Sequence, residues 1–367
     1  MKDEIFKWVR RFIKLPVVGI DISDRSVKYI KFAIGKELAF ETYGEAEIPK
    51  GAIVGGEIKR EDEVVRVLTE LAVREEKYLR GAGVVASLPE EKSFLRSVPL
   101  EKVKPDDAGN AIRWEIEAQI PLPLADLAFD YEIVAAREDH LDVLLTAFPR
   151  TLVESYARVL DRAGLRPVAL ELESQAMVRA IAPRLGRSPA SIIIDMGRTR
   201  TSFIIVSGGD IVFTTTIAVG GELLEENITK FLGVDHAEAA RIKKEIGFAK
   251  YGYEGKVFAA LIPALDALAD ELTRTMQSYQ HHLAHIHGGT ADITEIILSG
   301  GDANLFGLDT YLASATRIPV ALADPFAAIR WVLGDAIPPI PRNEALAFSA
   351  AIGLALRGHP VNPRAYT

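Results

Sequence analysis

The stretches Val18-Gly-Ile-Asp21-Ile-Ser-Asp-Arg-Ser-Val-Lys-Tyr-Ile-Lys-Phe32 and Ile192-Ile-Ile-Asp195-Met-Gly-Arg-Thr-Arg-Thr-Ser-Phe-Ile-Ile-Val206 superimpose without a gap. Each reads as an apolar run, an Asp, a tight polar turn and a second apolar run. Gly35-Lys36 then falls where Gly209-Asp210 falls, and each pair precedes another strand-like segment. The chain therefore carries an internal duplication of strand, turn, strand, turn, strand. Any fold for it must house two copies of that unit, each with a carboxylate entering its first turn.

Composition narrows the class. The 367 residues, 49% hydrophobic and 26% charged, suit a globular protein of two domains. With no cysteine there is no disulfide framework, thiolate metal site or cysteine nucleophile, which suits a reducing compartment. A formal net charge of −8 argues against nucleic acid as the main partner, since phosphate binding needs a basic surface. No run approaches the roughly 18 apolar residues of a membrane-spanning helix, and the N-terminal apolar positions are too broken by charges for a secretory signal.

Those N-terminal positions have a pattern of their own. Ile5, Phe6, Trp8, Val9, Phe12 and Ile13 recur at helical spacing between Lys7, Arg10, Arg11 and Lys14, predicting a short basic amphipathic helix. Such a helix either lies on an anionic membrane surface or partner through residues 5–13, or packs on its own domain.

Further along, the periodicity predicts a helix over Glu61 to Lys77 and a strand over Val84 to Leu88. The segment from Pro89 to Ala147 departs from the duplicated pattern: a helix over Ala108 to Ile120, stopped by Pro121-Leu-Pro123, then strands over Phe129 to Val134 and Leu141 to Thr146. This reads as an insertion. Afterwards helix and strand alternate again: helices over Leu152 to Ala163 and Glu173 to Ile181, with a strand over Pro167 to Leu170 between them. The second copy's hairpins lead to Gly220-Gly221 and a helix through Phe231. A helical block spans Ala237 to His287, strands follow at Glu295 to Leu298 and Ile318 to Leu322, and a closing helix is expected over Ala345 to Leu356.

At Ser299-Gly-Gly-Asp-Ala-Asn-Leu-Phe-Gly-Leu308 two glycines after a buried strand let backbone approach a flat ligand where a Cβ would collide. Such a pair means little alone. What is specific is the order of two Asp-turn hairpins, a Gly-Gly helix start and a Gly-Gly loop. With Val85-Ala-Ser-Leu-Pro89, Ala111-Ile-Arg-Trp-Glu-Ile-Glu-Ala-Gln-Ile-Pro-Leu-Pro123, Ile318-Pro-Val and Ala323-Asp-Pro-Phe326, the chain resembles the type IV pilus assembly protein PilM family. That family is related to the cell-division protein FtsA and lies within the actin, Hsp70 and sugar-kinase superfamily.

The resemblance implies an α/β, actin-like (ribonuclease H-like) duplicated fold of two lobes with an FtsA/PilM-type inserted subdomain. The implied division is an N-terminal helix over 1–15, a first lobe over 16–88 and 148–188, the insertion over 89–147, a second lobe over 189–235 and 290–358, a helical subdomain over 236–289, and a tail over 359–367. The two turns would clamp the phosphates of ATP from opposite sides. Asp21, Ser23, Asp24, Arg25, Ser26 and Lys28 match the first phosphate loop, and Asp195, Gly197, Arg198 and Thr199 the second. Asp21 and Asp195 would hold Mg²⁺ through water, and Glu173 sits where a carboxylate orients the attacking water. Gly220 and Gly221 open a helix facing phosphate, Lys243 stands at the ribose, and Gly300, Gly301 and Asn304 match the adenosine loop.

Two positions depart from the family. Ser23-Asp24 replaces Gly-Ser and places a negative charge near phosphate, so Asp24 points to solvent, acts through the metal, or lowers affinity. Ala240 stands where relatives carry Glu, with Lys243 the surviving ribose contact and Glu238 a substitute. His281, His282, His285 and His287 cluster near a helix end; no carboxylate lies at matching spacing, and they suit the helix dipole better than a metal.

The implied function is a cytoplasmic ATP-binding scaffold, peripheral to the inner face of the membrane and at most a slow ATPase, of a type IV pilus or related secretion or competence machine. It would dock the cytoplasmic tail of a PilN-like inner-membrane protein in a groove between main and inserted subdomains. An FtsA-like, membrane-associated filament former is an alternative in which copies form a homo-oligomer; it predicts a C-terminal amphipathic helix, whereas Arg357 to Thr367 is polar and proline-broken. A small-molecule kinase is a third class, with no candidate base beyond Glu173.

Overall fold

The computed structural model describes residues 17–33, 39–79, 81–101, 103–104, 108–185, 190–249, 252–286, 292–329 and 338–357. The N-terminal helix, the Gly35-Lys36 turn, His287, the side chains of His282 and His285, and the 359–367 tail lie outside the described residues.

The first copy of the repeat begins with β1 (Val17–Ile22), antiparallel to β2 (Ser26–Ala33), which pairs with β3 (Ala39–Glu47). The two-residue strands β4 (Ile53–Val54) and β5 (Glu57–Ile58) flank Gly55-Gly56. Helix α1 (Glu61–Arg74) buries Val64, Val67, Leu68 and Leu71 on one face, as its spacing requires. It ends at Glu75, short of the expected Lys77, and α2 (Glu76–Leu79) leads into β6 (Gly83–Leu88), parallel to β1.

A single 3-10 turn, Glu90–Lys92, then opens the inserted segment: β7 (Phe94–Glu101), α3 (Ala108–Gln119), β8 (Leu127–Ala136) and β9 (His140–Pro149). The segment has its own core of Val98, Leu100, Ile112, Ile116, Leu141, Val143 and Leu145. The chain returns through α4 (Arg150–Arg162), β10 (Arg166–Leu172) and α5 (Glu173–Leu185). The first sheet runs β10-β6-β1-β2-β3.

The second copy comprises β11 (Ala190–Met196), β12 (Thr201–Ser207) and β13 (Asp210–Ile217), followed by α6 (Gly221–Leu232), α7 (His236–Ile246) and the long α8 (Lys256–Ile286). β14 (Glu295–Ser299), α9 (Leu308–Thr316) and β15 (Val320–Leu322) complete the lobe. β15 starts later than the expected Ile318: Arg317 adopts a left-handed φ of 60°, Ile318 N–H donates to Thr316 Oγ1, and Pro319 has no N–H to give a neighbouring strand. The expected closing helix is broken into α10 (Arg342–Ala345), a 3-10 turn and α11 (Ser349–Arg357), whose residues Ser349 to Leu356 are all buried.

The second sheet runs β15-β14-β11-β12-β13-β7-β9-β8. Its first five strands repeat the topology of the first sheet, and the inserted segment's strands extend it through the Phe213↔Arg96 pair. The insertion is thus covalently attached to the first lobe and paired in a sheet with the second. The duplication extends to hydrogen-bond register. Asp21 pairs with Lys28 and, at the corresponding position, Asp195 with Ser202; β-bulges fall at Lys31/Phe32 and at the matching Ile205/Val206.

Candidate functional site

Both phosphate-turn candidates close with the same bond: Ser23 N–H donates to Ser26 O at 2.9 Å and Gly197 N–H to Arg200 O at 2.9 Å. The turns face one cleft of about 810 Å³, of a size suited to a nucleotide. Of the residues named from sequence, Asp21, Ser23, Arg25, Ser26, Lys28, Glu173, Asp195, Gly197, Arg198, Thr199, Gly300 and Gly301 line it, with Leu346, Ala347 and Ala350 as an apolar wall near Gly301.

Of the carboxylates at its floor, Glu173 is buried and Asp21 and Asp195 are half-buried. Burial, opposed by Lys28 and Ser87, pushes Asp21 up, and its Oδ1 has no hydrogen-bond partner among the described residues. Burial and the Asp21 charge push Asp195 up to about 7. Two hard carboxylate donors, one of them with an oxygen left without a partner, fit Mg²⁺ held through water, and no group of three or more ligands suited to direct coordination occurs among the described residues. Glu173, the first residue of α5, is pushed up by burial and by Asp21, Glu91 and Asp195, against the pull of Arg200 3.0 Å away.

Five sequence candidates lie elsewhere. Asp24 points neither to solvent nor into the cleft: it is buried and accepts from Gly55 N–H at 2.9 Å and Gly56 N–H at 3.0 Å, with Arg200 3.5 Å away. Its charge, unexpected beside phosphate, is held by those two amides and faces Arg200 of the opposite turn. Gly220 is a glycine because a Cβ there would sit 2.6 Å from Arg200 N and 2.7 Å from Arg198 O. The α6 start does not offer its first amides to phosphate, since Gly221 and Glu222 N–H donate to Gly197 O and Arg198 O.

Lys243 reaches Asp302 at 2.5 Å and Glu225 at 2.8 Å, so Asp302 puts a carboxylate in the cleft at that end. Glu238 pairs with Arg241 on α7 and does not line the cleft. Asn304 donates its side-chain amide to Asn343 O at 2.6 Å. Gly300 also departs from the expected reason: its φ is +92°, and a Cβ would meet Met196 O at 2.4 Å, so the protein's own backbone requires the glycine.

Sequence reasoning missed Arg200, Glu222, Lys50 and Asp302, which also line the cleft. The available signal was charge: two turns that face each other carry Asp24 and Arg200 where small residues would serve. Glu222 gave no such signal, because an acidic first helical turn is common.

A second groove, of about 500 Å³, lies between the inserted segment and the lobes. β8 contributes Ala128 to Glu132, β10 and α5 contribute Leu170 to Leu172, Gln175 and Arg179, and the β12–β13 turn contributes Gly209 and Asp210.

Comparison with known proteins agrees with this architecture. The family described as type IV pilus assembly protein PilM matches residues 19–359. Cell shape-determining protein MreB of Escherichia coli (strain K12) is 29% identical over 213 residues, 51% of this chain and 61% of that protein, so the chain spans about three fifths of its curated relative. Among solved structures, the PilM-PilN type IV pilus biogenesis complex has a TM-score of 0.78 at 22% identity, covering 94% of this chain and 99% of that one. MreB 5 of Spiroplasma citri bound to AMPPNP has a TM-score of 0.54 at 16% identity, covering 87% and 94%. The fold is the actin-like ATPase fold expected from the sequence.

Proposed function

The chain belongs to the type IV pilus assembly protein PilM family, and from that premise we propose that it is an ATP-binding scaffold that docks the cytoplasmic tail of a PilN-like inner-membrane protein. The observation that carries the nucleotide reading is the matched pair of turns, alike in their closing backbone hydrogen bond, each entered by a half-buried Asp facing one cleft. Asp21 and Asp195 would hold Mg²⁺, which when bound neutralises phosphate charge. The turn residues Ser23, Arg25, Lys28, Arg198 and Thr199 would position the phosphates, and Gly301 with Ala347 would accept the base. Glu173, tied to Arg200, orients water poorly while that pair persists, consistent with slow turnover.

The groove beside β8 supports the docking reading. It combines Phe129, Leu144, Phe148 and Leu172 with Asp130, Glu132 and Arg179, the mix that seats a short extended peptide. No helix among the described residues is long and apolar enough to cross a membrane, and we place the protein at the cytoplasmic face through its partner. MreB bound to AMPPNP is a protein of the same fold, and PilM is solved with PilN; both motivate the assignment.

Calorimetry of ATP·Mg²⁺ with and without a synthetic PilN-type tail, in the natural protein and Asp195→Ala, tests it. Nucleotide binding lost in the variant and tail binding strengthened by nucleotide support the scaffold. A chain that binds the tail but no nucleotide is a passive adaptor; one that binds ATP but no tail is not a pilus scaffold.

A further inference from the structure

Arg200 is shared by three carboxylates from three parts of the chain. Its guanidinium lies 2.8 Å from Glu91, 3.0 Å from Glu173 and 3.5 Å from Asp24, and all four side chains are largely buried. Asp24 belongs to the first phosphate turn, Arg200 to the second, and Glu173 lines the cleft. Glu91 lies in the 3-10 turn Glu90–Lys92, which joins the first lobe to the inserted segment. The neighbouring Glu90 is buried and accepts from Ser174 N–H at 3.2 Å, so both acidic residues of this link are anchored at the start of α5 or beside it. One cation facing three buried carboxylates is sensitive to any added anion, because interactions at such sites are weakly screened.

The link also bears on the second groove. The inserted segment is held at one end by this turn and along its β7 edge by β13 of the second lobe. The groove takes residues from the insertion, from the first lobe and, through Gly209 and Asp210, from the second lobe. Its width therefore depends on how all three sit together.

We propose that Arg200, through Glu91, couples occupancy of the nucleotide cleft to the shape of the groove beside β8. This rests on the scaffold reading above. Phosphates entering between the turns draw on Arg200 and loosen its hold on Glu91, and the released link lets β7 and β8 settle around the tail.

The test measures tail-peptide affinity with and without ATP·Mg²⁺ in the natural protein, Glu91→Gln and Arg200→Lys. Nucleotide is expected to tighten tail binding about five-fold or more in the natural protein. In Glu91→Gln the link is already released, so the tail is expected to bind without nucleotide about as tightly as the natural protein binds it with nucleotide, and the nucleotide effect falls below about two-fold. Arg200→Lys keeps the charge but not the fork, and loses the effect likewise. Amide exchange over residues 90–101 gives a readout independent of the peptide: nucleotide raises it in the natural protein and leaves it unchanged in Glu91→Gln. Full coupling in a folded Glu91→Gln overturns the relay and leaves the scaffold standing, as does binding of both ligands without coupling in the natural protein. Failure of the natural protein to bind nucleotide overturns both.

Discussion

Arg25 of the first turn and Glu222 in the first turn of α6 form an ion pair across the cleft, with Arg25 Nη2 2.8 Å from Glu222 Oε2 and 3.0 Å from Oε1. Lys50 adds a second cation at 3.0 Å. A carboxylate thus holds two cations that an incoming phosphate would otherwise meet free.

Replacing that carboxylate is therefore expected to help the ligand. Glu222→Gln should tighten ATP·Mg²⁺ binding about five-fold, or about 1 kcal/mol, with the gain largest at low salt. Calorimetry at two ionic strengths checks this, and unchanged or weaker binding would show that phosphate never competes for Arg25.

Asp195 makes stability depend on pH. Its folded pKa of about 7 lies above its ordinary 3.8, so the native state holds the proton more tightly than the unfolded chain. The contribution is fully present below about pH 4 and is lost as pH rises to about 7, costing the metal-free protein on the order of 4 kcal/mol. Urea unfolding in EDTA from pH 4.5 to 8 should show Asp195→Asn losing less stability over that range than the natural protein. Parallel curves would mean that Asp195 ionises normally.

Gly353 sits where α11 crosses α5, and a Cβ there would lie 1.7 Å from Ala176 O. That neighbour is backbone and cannot turn aside. Gly353→Ala is expected to destabilise by about 3 kcal/mol or more, seen as a lower urea midpoint at unchanged slope.

Gly301 should behave oppositely. A Cβ there meets only Ala347, at 3.5 Å, an ordinary contact. Gly301→Ala should unfold within about 0.5 kcal/mol of the natural protein yet bind ATP more weakly, because the added methyl occupies the cleft. Equal affinity would move the base away from Gly301.

Ala128 lines the groove beside β8 and is half-buried. Ala128→Arg should weaken tail-peptide binding about ten-fold or more with ATP·Mg²⁺ affinity intact. Tail binding unaffected by this substitution would place the docking site elsewhere.

Much of this architecture was legible in the chain. Strand periodicity and the position of Asp21 and Asp195 announced the duplication, since register and turn placement are local properties that survive in each copy. The insertion was equally visible, because its helix ends where Pro121 and Pro123 forbid continuation. Local chemistry also located both turns that line the cleft.

What the chain could not disclose is which groups meet across it. Asp24 and Arg200 are distant in sequence, and only folding brings the two turns together, so that a charge expected to repel phosphate is instead turned away from the cleft toward a cation. Likewise Gly220 and Gly300 looked like concessions to a ligand, whereas the close approach of the protein's own backbone demands them. Sequence by itself determined the repeated unit and the identity of its acidic turns, through periodicity and hydrogen-bonding capacity. Tertiary structure alone decided which buried charges meet a counter-charge and which hold a proton instead, because desolvation makes an isolated charge costly and only the packed chain determines what stands beside it.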